Sequence, residues 1–264
     1  MRVIESKQNP RLKELRRLLS RPGRDDGGLA GVEGANLLHE ALRAGLHVPC
    51  VFIAQEAHDP LEGLVLPDET EVLLVPRALL NACLDTEAPQ PVAALVEMPD
   101  WTWAHVVRHQ KSAPLLVVLA GIQDPGNLGT ILRSAEAFGA DGVVSLPGTV
   151  SCWNQKAVRA SAGSVFRLPL IASPVEECFH RLRDAGVTIL TTALQGATAA
   201  DAANLAGPVA LVIGNEGNGV PADIAALASG AITIPCPGPV ESLNASVAAG
   251  VLLYEASRQR RGTA

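Results

Sequence analysis

From Pro114 onward, short apolar runs of strand length alternate with segments of helical period, and this alternation restricts the fold more than any other feature of the chain. Strands are predicted over Leu115–Ala120, Gly142–Leu146, Phe166–Ile171, Thr188–Thr192, Val209–Ile213 and Ile232–Ile234. Helices are predicted between and after them, over Leu128–Phe138, Asn154–Ala162, Val175–Ala185, Pro221–Leu227 and Leu243–Arg258. Short apolar strands that alternate with helices imply an α/β fold with a mostly parallel sheet covered on both faces. Ligands of such sheets bind in the loops beyond the strand C-termini. Chemistry is therefore expected in those loops.

Three of these loops are distinctive. The first, Asp124 to Arg133, reads Asp-Pro-Gly-Asn-Leu-Gly-Thr-Ile-Leu-Arg. Asn127 is expected to cap a helix that buries Leu128, Ile131, Leu132, Ala135 and Phe138, which leaves Arg133 on the opposite side among small residues. In the second, the strand Val209–Ile213 empties into Gly214-Asn215-Glu216-Gly217-Asn218-Gly219, whose glycines permit close approach of a ligand. The spacing matches neither a dinucleotide-binding glycine fingerprint nor a phosphate loop. The third, Ile234 to Ser246, is stiffened by prolines and contains Ser242-Leu243-Asn244, where Ser242 or Asn244 can cap the last helix. On that helix Leu243, Val247, Gly250, Val251 and Tyr254 share one face.

The first 99 residues form a smaller αβ unit. A helical pattern from Asn9 to Leu19 buries Leu12, Leu15, Leu18 and Leu19, and a Gly/Asp-rich loop, Gly23 to Gly28, follows. Strands are expected at Leu29–Val32, Val48–Ala54, Glu71–Val75 and Val92–Glu97, with helices at Gly34–Ala44 and Pro76–Leu84. Residues 100–113, with Trp101 and Trp103, read as a linker to a second domain over 114–264.

The net charge of −6 weighs against a nucleic-acid partner, but its distribution does not. Residues 1–24 carry eight basic side chains (Arg2, Lys7, Arg11, Lys13, Arg16, Arg17, Arg21 and Arg24) against Glu5 and Glu14. That is a local +6, which leaves −12 on the remainder. A solvated amphipathic helix accounts for this as well as a phosphate-contacting arm does. Aromatic residues make up only 3% of the chain, so folded RNA recognised by shape and backbone fits better than serial base stacking. The five cysteines are scattered without metal-ligand spacing, no signal peptide is visible, and a cytoplasmic protein with reduced thiols and no metal is expected.

Taken together, the Asn127–Arg133 segment, the Gly214–Gly219 loop and the Ile234–Ser246 segment resemble, in order and separation, the signatures of the SpoU (TrmH-type) RNA 2′-O-ribose methyltransferases of the SPOUT superfamily. Lys156 to Gly163 resembles a further family segment. The resemblance covers the whole second domain. Residues 1–99, through Val32-Glu33-Gly34 and Leu37 to Leu42, resemble the ribosomal-protein-like RNA substrate-binding domain that often precedes it. Cys236 and Ala245 stand where methionine and valine are frequent in the family, and neither change removes a polar group expected to function.

The resemblance implies a trefoil-knotted methyltransferase domain that binds S-adenosylmethionine, with Thr192, Leu194, Gly214, Ile234 and Leu243 meeting the cofactor largely through backbone groups. It implies methylation of a ribose 2′-hydroxyl in structured RNA, with 23S ribosomal RNA favoured over tRNA, and no metal. Arg133 takes the central role. The family is often described with this arginine as general base, but a guanidinium hardly deprotonates. Binding of the adjacent phosphate and stabilisation of the developing alkoxide are preferred. Asn127 and Glu216 are expected to orient it, and Ser242 and Asn244 to hold the loop and the substrate. Lys7, Arg11, Lys13, Arg16, Arg17 and Arg159 are the expected RNA contacts. The resemblance also implies a homodimer in which Arg133 of one protomer serves its partner's cofactor. A tRNA ribose methyltransferase, an antibiotic-resistance ribosomal RNA methyltransferase and, from another class, a non-catalytic RNA-binding or assembly protein stay open as alternatives.

Overall fold

The computed structural model describes residues 1–20, 28–61, 63–84, 86–107, 113–239 and 242–261. Arg21, Arg24, most of the Gly23–Gly28 loop, residues 108–112 of the expected linker, and Val240 and Glu241 of the third loop lie outside the described residues. The chain divides into two compact units, residues 1–100 with 151–167, and residues 101–150 with 168–264.

The first unit contains β1 (Arg2–Val3), α1 (Pro10–Ser20), β2 (Leu29–Glu33), α2 (Ala35–Arg43), β3 (Cys50–Ala54), β4 (Glu71–Val75), α3 (Arg77–Asn81) and β5 (Val92–Glu97). Its sheet has the order β1-β4-β3-β5-β2, with β1, β4 and β3 mutually parallel and β5 antiparallel to both β3 and β2. Leucines at i, i+3, i+6 and i+7 give α1 one continuous apolar stripe. All four, Leu12, Leu15, Leu18 and Leu19, are buried in a core with Phe52, Leu73, Leu80 and Leu95.

The second unit opens with α4 (Trp103–Val106), followed by β6 (Leu115–Ala120), α5 (Pro125–Ala137) and β7 (Gly142–Ser145). The segment expected as a linker thus carries a helix. Val106 and Val107 are buried in the core of this unit, with Trp101 and Trp103 packed against it. Gly142 makes this possible, because a Cβ there would lie 2.9 Å from Val106 Cα.

The chain next forms α6 (Gln155–Ser161) and α7 (Ser164–Arg167), which belong to the first unit. Gln155 Nε2 donates to the Gly31 carbonyl at 2.9 Å, and Arg167 pairs with Glu40. Phe166, expected in a strand, lies in α7. The strand begins later, at β8 (Leu170–Ala172), because left-handed Ala162 and Gly163 reverse the chain and seat Val165 and Phe166 in the core as helical residues.

The second unit continues through α8 (Val175–Asp184), β9 (Thr188–Thr192), β10 (Thr198–Ala199), β11 (Val209–Gly214), α9 (Ala222–Ala225), β12 (Gly230–Thr233) and α10 (Ala245–Arg261). Its seven strands run in the order β10-β12-β9-β11-β6-β7-β8, and every recorded pairing is parallel. β6 and β11 are buried along their whole length, as a strand covered on both faces requires. From β6 the chain proceeds to β7 and β8 on one side, whereas β11 leads back past β9 to β12 on the other. The C-terminal ends of β6 and β11 therefore flank a topological switch point, where open α/β sheets place their ligands.

Candidate active site

The two loops that leave β6 and β11 meet at this switch point. α5 starts earlier than expected, at Pro125, and its N-cap is Asp124 rather than Asn127. One Asp124 carboxylate oxygen accepts from the backbone N–H groups of Gly126 at 2.6 Å and Asn127 at 3.0 Å. Proline at the first helical position has no N–H to satisfy, so an Asp-Pro step is a natural helix start. The signal was present in the sequence as Asp124-Pro125.

Relieved of capping, the Asn127 side chain reaches the other loop. Its Nδ2 donates to Glu216 Oε1 at 3.0 Å, and the backbone N–H groups of Gln123 and Asp124 approach the same carboxylate at 3.5 and 3.4 Å. Burial pushes the Glu216 carboxyl up. The hydrogen bonds from Asn127 and from the backbone N–H groups of Glu216, Gln123 and Asp124 outweigh it and hold the group below the usual carboxylate range.

Asn215 adds a second tie. Its Nδ2 donates to the Gly121 carbonyl at 2.9 Å, while its Oδ1 accepts from the Gly217 and Asn218 N–H groups. The backbones of Asn215 and Gly219 exchange two hydrogen bonds of 2.9 Å. Gly214 is forced by this turn, since a Cβ there would lie 2.2 Å from the Gly219 carbonyl carbon. Neither Asn215 nor Gly121 stood out as a site residue in the sequence. The only cue was the Asn-x-Gly pattern, an Asx-turn signature.

Arg133 is exposed on α5, six residues beyond Asn127 and so about 9 Å further along the helix axis. Among the described residues it makes no recorded hydrogen bond or ion pair with Asn127 or Glu216. Within the chain these two residues lock the loops to each other. Asn244 caps α10, and its Oδ1 accepts from the Ser246 N–H at 2.9 Å and the Ser246 hydroxyl at 2.7 Å. α10 accordingly begins at Ala245, not at Leu243. Ser242 is exposed beside it.

Of the expected cofactor contacts, Thr192 and Gly214 are the last residues of β9 and β11, and Ile234 directly follows β12. Leu194 is 69% exposed just past β9, and Leu243 sits near the start of α10 rather than at a strand end. The donor set combines backbone groups at the ends of three adjacent strands with the apolar side chains of Leu194, Ile234 and Leu243. It suits an adenosine moiety, whose ring faces are apolar and whose edge carries donors and acceptors. S-adenosylmethionine fits such a site.

In the first unit Lys7, Lys13, Arg16 and Arg17 are exposed, the last three on one side of α1. Arg11 is engaged elsewhere, donating to Glu14 at 2.9 Å and to Glu71 at 3.4 Å. Arg159 is exposed on α6.

Fold and site together define an α/β protein whose candidate ligand site lies at the C-terminal strand ends and has no phosphate loop. The profile of the SpoU rRNA Methylase family matches residues 114–254, and that of the MRM3-like substrate binding domain matches residues 9–94. The chain is 32% identical over 254 residues to the 23S rRNA (guanosine(2553)-2′-O)-methyltransferase RlmP of Bacillus subtilis, covering 96% of this chain and 98% of that protein. The SpoU methyltransferase AviRb from Streptomyces viridochromogenes, solved in complex with AdoMet, superposes with a TM-score of 0.86 at 30% identity, over 96% of this chain and 99% of that one. A solved RNA 2′-O ribose methyltransferase gives 0.82 at 35% identity, over 99% and 100%. The chain belongs to the SpoU rRNA methylase family. It is an S-adenosylmethionine-dependent RNA 2′-O-ribose methyltransferase.

Proposed function

We propose that this enzyme methylates a ribose 2′-hydroxyl in 23S ribosomal RNA, working as a cytoplasmic homodimer. The observation that carries the choice of RNA is likeness along nearly the whole chain, substrate-binding domain included, to the Bacillus subtilis enzyme that acts on 23S rRNA. Residues 1–99 serve as the RNA-binding domain and residues 114–264 as the methyltransferase domain. The latter is threaded as a trefoil knot, a reading that rests on family membership.

When bound, S-adenosylmethionine supplies a methyl group on a sulfonium centre. The protein's task is to bring a weakly nucleophilic hydroxyl in line with it. Asn127, Glu216 and Asn215 hold the loops after β6 and β11 in one fixed relation, so that groups on both are preorganised. A guanidinium is no proton acceptor at neutral pH. Arg133 therefore acts by charge, gripping the phosphate beside the reacting ribose and stabilising the alkoxide as it develops. Ser242 and the N-terminal turn of α10 border the substrate, and Thr192, Leu194, Gly214, Ile234 and Leu243 border the cofactor. Lys7, Lys13, Arg16 and Arg17 meet the RNA backbone.

The homodimer is supported by α10. The helix buries Ala245, Ala249, Leu252, Leu253 and Ala256 within its own chain, while Val247, Val251 and Tyr254 stay 51%, 40% and 49% exposed on another face.

The test is methyl transfer from radiolabelled S-adenosylmethionine to unmodified 23S ribosomal RNA and to tRNA, with alkaline hydrolysis of the product. An alkali-resistant labelled dinucleotide from 23S RNA, absent with Arg133→Ala, is the expected result. Label on a base overturns the 2′-hydroxyl assignment, and label in tRNA alone overturns the choice of RNA.

A further inference from the structure

A groove of about 600 Å³ lies within the first unit, and none of the residues that line it is among those assigned to methyl transfer. Glu33, the start of α2 from Gly34 to Leu37, His39 and Glu40, Gln90, and Arg159 and Ala162 of the α6 segment line it. Its walls are set by unusual backbone. Gly34 precedes α2 at φ 99°, and Ala162 is one of only two non-glycine residues among those described with positive φ. At Gly163 a Cβ would lie 2.6 Å from Glu40 Cβ, so this glycine lets the α6 segment close against α2.

Two features of the groove point to opposite halves of one ligand. The first is positive. α2 begins without a side-chain cap, leaving first-turn N–H groups that favour an anion. Arg159 stands exposed on the same groove. The second is negative. Glu33 is only 6% exposed, and both of its recorded hydrogen bonds, from the Thr86 hydroxyl at 2.8 Å and the Gln90 N–H at 2.9 Å, reach Oε1. Among the described residues nothing is recorded on Oε2, and no cation pairs with this carboxylate. Glu40, the other acid of the groove, is already paired with Arg43 and Arg167.

A carboxylate oxygen that gives up its water to an entering ligand demands a donor from that ligand. Among RNA bases only guanine presents two adjacent donors, N1–H and N2–H, on its Watson–Crick edge. Adenine and cytosine place a ring acceptor beside their amino group, and uracil flanks its one N–H with two carbonyls. The carboxylate repels both patterns. We infer that this groove binds an unpaired guanosine of the RNA, its base edge on Glu33 and its phosphate at the α2 N-terminus beside Arg159. The inference rests on RNA being the substrate and adds a sequence-reading site within the first unit.

The probe is a nine-nucleotide oligouridylate with one central guanosine, its binding to the full-length protein followed by fluorescence anisotropy. It is expected to bind about tenfold tighter than the all-uridine oligomer, the discrimination that one well-placed base contact gives. Replacing guanosine by inosine, which lacks the N2 amino group, removes most of that advantage. Glu33→Gln keeps an acceptor for Thr86 and Gln90 and abolishes the preference, while Arg159→Ala weakens both oligomers alike and lowers their salt dependence. Equal affinity of the wild-type protein for the guanosine and uridine oligomers overturns the inference, as does a preference that survives Glu33→Gln. Guanosine monophosphate competing as strongly as the oligomer overturns the assignment to RNA. If Glu33→Gln does not fold, the inosine series on the wild-type protein decides alone. Methyl transfer to 23S RNA without any guanosine preference sinks this inference and leaves the proposed function standing.

Discussion

Glu216 carries a charge whose upkeep depends on Asn127, and this makes the loop junction sensitive to acid in a definite sense. Its carboxyl is held below its ordinary value, so the junction is intact above that value and is lost as pH falls through the lowered one. Cofactor affinity measured by calorimetry from about pH 7 down to about pH 4 is expected to hold until below the usual carboxylate range. In Asn127→Ala the hydrogen bond from Nδ2 is gone, and the loss should move to higher pH. Coincident profiles for the two proteins would sever Glu216 from the site. Gly214 is equally exposed to test, since its Cβ would collide with backbone on which no rotamer change can act. Gly214→Ala is expected to lower cofactor affinity by more than about tenfold, since strained backbone costs on the order of 1–3 kcal/mol. The thiols report on the third loop. Burial pushes Cys50 and Cys178 up to about 12, whereas Cys236 is exposed two residues beyond Ile234. Iodoacetamide near pH 8 should therefore modify Cys236 while sparing Cys50 and Cys178, and S-adenosylmethionine should slow the reaction. Mass spectrometry shows which cysteine is labelled, and a rate unchanged by cofactor would place the loop outside the cofactor site.

Elements with a strong period of their own were legible in the sequence, and those shaped by neighbours were not. The leucine stripe of α1 and the apolar runs of β6 and β11 lie where the sequence predicts them, because burial on one face or on both writes a repeating pattern. The short helices α4 and α7 have no room for a period. Val106 is seated by Gly142, some 36 residues away, and Phe166 became helical only because Ala162 and Gly163 turn the chain first. Two-residue strands such as β1 and β10 exist through their partners β4 and β12 and carry no signal of their own. The site shows the same division. Asn127 and Glu216 stood out in their loops, but their hydrogen bond spans 89 positions, and only the order of strands brings them together. The start of α5 is the instructive miss, because Asp124 holds the cap that Asn127 was expected to provide. Asp124→Ala is expected to cost about 1 kcal/mol of stability, the usual worth of an N-cap. It should also draw Asn127 back toward capping and so weaken cofactor binding. Thermal unfolding and calorimetry on the same variant separate the two effects, and a stability loss with unchanged affinity would show that Asn127 keeps its hold on Glu216 unaided.

At the scale of the whole molecule, the exposed face of α10 is the feature that a lone chain does not explain. The helix already packs on α5 through small residues, with Tyr254 edge-on to Phe138 at 5.8 Å, yet Val247 and Val251 remain open beside it. A second copy of the chain, laying the same face against this one, would cover them in the self-complementary manner of a two-fold interface. Val251→Asp should then yield a monomer by sedimentation, since a charge buried without a partner is costly. The position of Arg133 sharpens the expectation. It is exposed on α5 and makes no recorded bond with the Asn127–Glu216 junction of its own chain. If Arg133 serves the partner's cofactor, Arg133→Ala and Gly214→Ala are defects in different halves of each shared site. At S-adenosylmethionine too dilute to saturate Gly214→Ala, either variant alone should show little activity. A mixed dimer of the two would unite an intact Arg133 from the Gly214→Ala protomer with an intact cofactor loop from the Arg133→Ala protomer, rebuilding one of its two sites. Mixing the variants under conditions that allow subunit exchange should therefore restore methyl transfer. Random pairing makes half of the dimers mixed, each with one working site, so about a quarter of wild-type activity is the ceiling. Were Arg133 to act on the cofactor of its own chain, every site in every mixed dimer would lack one of the two groups, and activity would stay at the level of the separate variants.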